Sequence, residues 1–113
     1  LMATRIINAG VSLTDTSLTT VYTCPANHKA IVKELWLTNV DGSNAVDATL
    51  KWTDDSDSDA AYSLLSTKSI AADSYLRIEG GNIVLEAGDI LKVQAGAAND
   101  LMVSAFVEEI YTP

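Results

Sequence analysis

The chain has 113 residues, of which seven are basic and fifteen acidic, and a formal net charge of −8. A chain of this length forms one domain, because two halves would each be too small to bury a core. The 48% of hydrophobic residues excludes a disordered chain. No apolar run reaches the roughly 18 residues that a membrane helix needs. An acidic surface repels phosphate groups, so we expect neither nucleic acids nor membranes as partners.

Cys24 is the single cysteine, so no disulfide can form within the chain. The first residues lack the basic head and the apolar stretch of a signal peptide. We therefore expect the protein to be made in a reducing cytosol. A small core without a disulfide or a metal is marginal, and oligomerisation is a common remedy.

Short β-prone runs separated by turn residues fill the first half of the chain, and no window shows the apolar period of a helix. The runs cover residues 4–8, 17–23, 29–39 and 46–53. The third run has apolar residues on both parities, which predicts burial on both faces or a bulge. The fourth run alternates cleanly and predicts a half-buried strand with Leu50 inward.

The second half continues the pattern with runs at residues 61–66, 74–79, 83–85, 90–95 and 101–111. Residues 80–82, Gly-Gly-Asn, predict a tight connection with positive φ. The last run places Val103 on an inward face, whereas Met102 and Phe106 make its other face apolar as well. We expect an all-β, antiparallel, jelly-roll-like β-sandwich of about eight strands over residues 19–113. Residues 1–18 are expected to form an N-terminal arm or a first edge strand.

Catalytic constellations are not evident in this sequence, and we expect a protein that is not an enzyme. Nucleophilic catalysis needs a nucleophile beside a base, and the single histidine, His28, lies in the same Pro-containing turn as Cys24. We interpret His28 as a polar turn residue and Cys24 as a small buried side chain. One cysteine and one histidine cannot make a zinc site, so we expect no metal and no cofactor.

Calcium is the one metal that the pattern leaves open. Asp55, Asp57 and Asp59 match the first three ligand positions of an EF-hand-like loop. The glycine position holds Ala60 and the last ligand position holds Ser66. Residues 54–59 are therefore predicted to form a solvated acidic loop, since close carboxylates repel each other.

The aromatic side chains raise a further alternative, a stacking platform for sugars on a carbohydrate-binding β-sandwich. Trp52 shares its parity with Leu50, so we predict that it belongs to the core. Tyr75 falls on the polar side of its strand and is the best exposed candidate. Trp36 lies on a strand with two apolar faces, and its exposure stays open.

Two stretches carry a family resemblance. Residues 20–39, TVYTCPANHKAIVKELWLTN, resemble the opening of small β-sandwich virion proteins of tailed bacteriophages, with a Tyr-Thr-x-Pro-Ala turn and a long apolar strand ending in Thr-Asn. Residues 80–95, GGNIVLEAGDILKVQA, resemble their second signature, a Leu-x-x-Gly-Asp-x-Leu hairpin. The likeness extends over roughly residues 19–111.

The resemblance implies a structural role in the virion and supplies no catalytic residues. Proteins of this kind include capsid decoration (cement) proteins, which are our first expectation, as well as tail, neck or fibre components. It implies the major capsid protein or other virion proteins as partners, and a homo-oligomer, often a trimer. The expected location is the virion, assembled in the host cytoplasm.

Overall fold

The structure is a computed structural model that describes residues 3–113, apart from the side chains of residues 80–82. Strands make up most of this range, with one short 3-10 turn at Asp55–Asp57. The eight strands of the described residues are β1 (Thr4–Ser12), β2 (Thr19–Thr23), β3 (His28–Asn39), β4 (Val46–Asp54), β5 (Ala60–Ile70), β6 (Tyr75–Glu86), β7 (Ile90–Ala95) and β8 (Leu101–Tyr111).

The strands form two four-stranded sheets. Sheet A has the order β1-β8-β3-β6 and sheet B has the order β2-β7-β4-β5. Every neighbouring pair is antiparallel. This order, with the first strand beside the last and the second beside the seventh, is that of a jelly roll built from two Greek keys. The predicted fold class is confirmed.

The core lies between the sheets, where alternate residues of each strand meet. Leu50 of sheet B and Val103 of sheet A are both fully buried, as predicted. Each buried side chain of this size stabilises the fold by about 1.5–3 kcal/mol. The other large, fully buried apolar side chains are Leu13, Leu35, Leu37, Leu85, Leu91, Val93, Leu101 and Val107.

One predicted connection is wrong. Residues 80–82 were expected to turn between two short strands, but β6 runs without a break from Tyr75 to Glu86. The extra residues are taken up as a bulge, because Glu79 pairs with Glu34 and Ile83 pairs with Val32. The side chains of residues 80–82 lie outside the described part of the chain. Both flanking segments pair with β3, which explains why one long strand replaces two short ones.

The central strand β3 combines the two alternatives that its sequence left open. Its register shifts between Val32 and Glu34 against both neighbours, so a bulge at Lys33 interrupts the strand. Leu35 and Leu37 are buried in the core, while Ile31 and Trp36 are half-buried on the opposite face. The strand is therefore bulged, and it is also apolar on both faces.

Candidate functional site on the outer face of sheet A

Sheet A carries apolar side chains on the face that points away from sheet B. We call this the sheet A face. The pairing register aligns its side chains in rows across the four strands, such as Asn8 beside Phe106 and Ser12 beside Met102. Its exposed apolar members are Ile6, Tyr75, Val84, Met102 and Phe106. The same register places polar side chains between them, such as Glu108 between Ile6 and Ile31 and Glu34 beside Phe106. A sheet face that exposes several large apolar side chains among polar ones is a candidate surface for binding another molecule.

An aromatic and charged cluster occupies the β3–β6 side of this face. The rings of Trp36 and Tyr75 lie 4.9 Å apart at an angle of 37°. The Arg77 guanidinium lies 5.3 Å from the centre of the Trp36 ring, a cation–π contact. Tyr75 is 57% exposed, as predicted, and Trp36 is half-buried beneath its neighbours.

Glu34 holds this cluster in place. Its carboxylate accepts a hydrogen bond from the Trp36 indole N–H and lies 3.1 Å from Nε of Arg77. The hydrogen bond from Arg77 and that from Trp36 hold the pKa of Glu34 below its usual range. Arg77 also contacts Glu79 at 2.9 Å. The cluster therefore combines two neighbouring aromatic rings with charged side chains that are already paired with each other.

The equivalent surface of sheet B is polar. We call it the sheet B face, and its register pairs Thr20 with Lys92 and Thr49 with Gln94. The Gln94 side-chain amide donates a 2.9 Å hydrogen bond to the carbonyl oxygen of Thr16. Hydroxyl, amide and ammonium groups of this kind are well solvated, so this face is suited to contact with water.

A buried polar network lies at one end of the sandwich, and the sequence pattern did not predict it. Glu109 of β8 is only 3% exposed, and its carboxylate accepts hydrogen bonds from Arg5 Nε at 2.6 Å and from the Tyr22 hydroxyl. Burial alone would raise the pKa of Glu109, but these hydrogen bonds and the charge of Arg5 outweigh it and lower that pKa. Burial also raises the pKa of Tyr22. The Tyr22 hydroxyl therefore stays protonated and donates, while the Glu109 carboxylate stays ionised and accepts.

One signal could have found this network. Glu109 continues the inward parity of Val103, Ala105 and Val107, so a carboxylate stands in a row of core residues. Such a side chain needs a charged or hydrogen-bonding partner. The partner Arg5 is 104 residues away in sequence, and nothing local identifies it.

Cys24 and His28 lie close together but do not form a catalytic pair. The Cys24 thiol contacts the backbone carbonyl of His28 at 3.5 Å, and the His28 ring nitrogen Nδ1 lies 2.8 Å from the carbonyl oxygen of Ala26. Burial raises the pKa of Cys24 to about 11, so its thiol is protonated at neutral pH. A protonated, buried thiol is not a nucleophile. The interpretation of Cys24 as a small core side chain is confirmed.

Side-chain hydrogen bonds within the acidic loop and to neighbouring residues hold its conformation. Asp54 caps the 3-10 turn by accepting from the Ser56 N–H, and Asp57 accepts a 3.2 Å hydrogen bond from the Tyr62 hydroxyl. The buried Asp89 carboxylate accepts from the backbone N–H of Asp55 at 2.9 Å. Gly88, at φ +87°, leaves the space that the Asp55 side chain fills. In the described part of the chain, no group of three or more aspartate, glutamate, cysteine or histidine side chains is arranged to bind a metal ion.

Trp52 is less buried than its alternation predicts. It packs against the core but is only half-buried, and it stacks on Tyr62 with ring centres 5.2 Å apart. The pairing register between β4 and β5 shifts on both sides of Leu50. A cleft beside it is lined by Trp52, Leu64, Ile83 and Val84.

Solved structures from pili and virus particles are similar to this chain in fold. A protein of disulfide-linked pili from Bacillus endospore appendages is 13% identical, with a TM-score of 0.56 over 98% of this chain and 88% of that one. A protein of the T13 infectious bursal disease virus particle is 7% identical, with a TM-score of 0.55 over 96% of this chain and 31% of that one.

A third similar structure comes from a virus-like particle of extra small virus of the giant freshwater prawn Macrobrachium rosenbergii. It is 10% identical, with a TM-score of 0.50 over 99% of this chain and 80% of that one. At such identities these likenesses show the jelly-roll fold alone. No protein-family model and no curated protein matches the chain. In the described residues, no helix has the length and apolarity needed to span a bilayer.

Proposed function

We propose that this protein is a non-enzymatic structural protein of a tailed-phage virion, and specifically a capsid decoration protein that binds and stabilises the shell. The observation that carries the proposal is the sheet A face, where Met102, Phe106 and Tyr75 are exposed on a rigid sheet. Such a face gains free energy when a neighbour covers it. The two resembling sequence stretches supply the phage assignment, and the fold it shares with particle and pilus subunits is consistent with it.

The charge of the chain supports the same location. A net charge of −8 repels packaged nucleic acid and favours the outside of a particle. The major capsid protein is the proposed partner, and the added contact area would help the shell to resist internal pressure. Assembly would take place in the host cytoplasm, where the buried thiol of Cys24 stays reduced.

A binding experiment tests this proposal. Expanded capsids that lack the protein are mixed with the purified chain, and bound protein is measured by co-sedimentation and located by cryo-electron microscopy. We expect saturable binding at regular positions on the shell and a higher temperature of capsid disruption. Binding confined to tails or necks would identify the protein as a tail, neck or fibre component instead. Absence of binding to any part of the virion would overturn the proposal.

A second candidate function is favoured by the cluster on β3 and β6. An exposed tyrosine ring beside a tryptophan, surrounded by guanidinium and carboxylate groups, is the surface that a carbohydrate-binding module presents to a sugar ring. Host glycans would then be the ligand. A glycan array and tryptophan fluorescence titrations test this, with Tyr75→Ala expected to abolish any signal. Signals that Tyr75→Ala leaves unchanged would contradict a site at this cluster.

A further inference from the structure

The four edge strands of the sandwich differ in regularity. Within the described residues, β2, β5 and β6 each pair with a register shift. In contrast, β1 pairs with β8 residue for residue over its whole length, Thr4–Ser12. Bulges protect sheet edges from pairing with other chains. The β1 edge therefore lacks the protection that the other three edges have.

The hydrogen-bonding groups at this edge can be assigned. At the two ends of the β1–β8 ladder, the Tyr111 N–H donates to Ala3 O and the Leu13 N–H donates to Leu101 O. Because hydrogen-bonded and non-hydrogen-bonded pairs alternate in an antiparallel ladder, the odd-numbered residues of β1 exchange hydrogen bonds with β8. The backbone groups of the even-numbered residues, from Thr4 to Ser12, point to the open edge.

Two residues of β1 are not explained by packing within their own subunit. Ile6 is 79% exposed, the most exposed of the large hydrophobic side chains in the described residues. Gly10 adopts no positive φ, and a Cβ at its position would meet nothing closer than the Val103 carbonyl oxygen at 3.8 Å. A glycine weakens a strand, and one that its own fold does not require often marks close approach of another backbone.

We propose that two copies of this chain associate through antiparallel pairing of β1 with β1 of the partner subunit, about a two-fold axis at Asn8. This register sets Ile6 opposite Gly10 of the partner subunit, so the exposed side chain lies over the glycine. The same contact occurs twice, as a two-fold interface requires. The pairing would form up to about ten backbone hydrogen bonds and join two copies of sheet A into one eight-stranded sheet.

The electrostatics of β1 are compatible with self-association. The net charge of −8 opposes contact between most surfaces of two copies, but β1 contains no carboxylate. Its one charged residue, Arg5, is paired with Glu109 inside its own subunit. This inference stands on the β1 edge alone and does not depend on the capsid role. It predicts a dimer where the family resemblance implied a trimer.

The experiment measures solution mass by light scattering over a range of concentrations. We expect a species of twice 12.0 kDa. A Cβ at Gly10 makes only an ordinary contact within its own subunit, whereas Gly10→Val removes the space for Ile6 of the partner subunit. We therefore expect the dissociation constant of this variant to rise by about tenfold or more. Ser104→Val adds the same side chain in the same row but on β8, away from the edge, and is expected to leave the dimer unchanged. Ile6→Ser should weaken the dimer as Gly10→Val does, and thermal unfolding checks that each variant folds.

Crosslinking tests the register. Asn8→Cys places two cysteines on the axis with Cα atoms about 5.5 Å apart, within the range for a disulfide. Thr4→Cys faces Ser12 of the partner subunit and should not crosslink to its own copy. The wild type is the negative control, because its single cysteine, Cys24, is buried and should not crosslink. A monomer at all concentrations, a trimer, a dimer indifferent to both Gly10→Val and Ile6→Ser, or equal crosslinking by the two cysteine variants would overturn the proposal.

Discussion

The outward surfaces of the two sheets are built from different side chains, although both sheets share one core. The sheet A face exposes Phe106, Met102 and Tyr75, whereas the sheet B face presents residues such as Thr20, Thr49 and Lys92. A sheet with one solvated face alternates apolar and polar residues, and sheet B does so. Sheet A instead exposes large apolar and aromatic side chains on its outer face, among polar ones such as Asn8, Ser12 and Glu34. This asymmetry is the reason that the binding surface is proposed on sheet A.

The comparison depends on a correct division into inward and outward faces. Leu50→Ala in sheet B and Val103→Ala in sheet A should each lower the free energy of unfolding by about 2–4 kcal/mol, because both remove buried methyl groups and leave cavities. Urea denaturation of the two variants measures this. Losses below about 0.5 kcal/mol at both positions would mean that the faces are reversed.

The buried network of Glu109, Arg5 and Tyr22 provides a second test. Glu109→Gln should cost about 1–2 kcal/mol of stability at neutral pH, since it removes the charge that Arg5 contacts and Arg5 is partly exposed. The pKa of Glu109 is lowered in the folded state from its ordinary value of 4.5. The wild type should therefore hold its advantage above about pH 4.5 and lose it as the pH falls through the lower, folded pKa.

Denaturation of both proteins between pH 3 and pH 8 measures this difference. A gap between the two free energies that stays constant down to pH 3 would show that the charge of Glu109 contributes nothing. The substitution Asp47→Asn on the sheet B face, where the carboxylate is exposed, is the matched control and should change stability by less than about 0.5 kcal/mol.

The faces themselves should differ in binding rather than in stability. Phe106→Ser should weaken binding to capsids by about tenfold, which is about 1.4 kcal/mol, because it removes an apolar contact that a neighbour would bury. Lys92→Ser on the sheet B face should change binding by less than about twofold. Co-sedimentation titrations measure both. Equal effects would remove the functional distinction between the two faces.

Much of the fold could be predicted from the sequence because strand alternation is a local signal. Val46–Asp54 and Ile90–Ala95 lie within one residue of their predicted bounds. The continuity of β6 could not be predicted, since Gly-Gly-Asn has the local preferences of a turn, and the pairing of both flanking segments with β3 is a long-range feature. Trp52 was placed on the correct parity, but its partial exposure results from a register shift that no local pattern shows.

The candidate site was only partly predictable for the same reason. Met102 and Phe106 were identified as an apolar outer face from one strand alone. Their continuation onto Trp36 and Tyr75 depends on strand order, which places β8 beside β3 and β3 beside β6. The burial of Glu109 beside Arg5 likewise follows from the pairing of the first strand with the last.

That pairing also has a consequence for the order of folding. The last strand, β8, lies between β1 and β3 in sheet A, so it is inserted between two strands that are synthesised long before it. Until β8 leaves the ribosome, the apolar inner side chains of β3, Leu35 and Leu37, lack their neighbour Val103. Contacts so distant in sequence slow folding and prolong the exposure of strand edges. The jelly-roll order thus makes β8 the last strand of sheet A to arrive, and until then β1 and β3 expose the edges that it will cover.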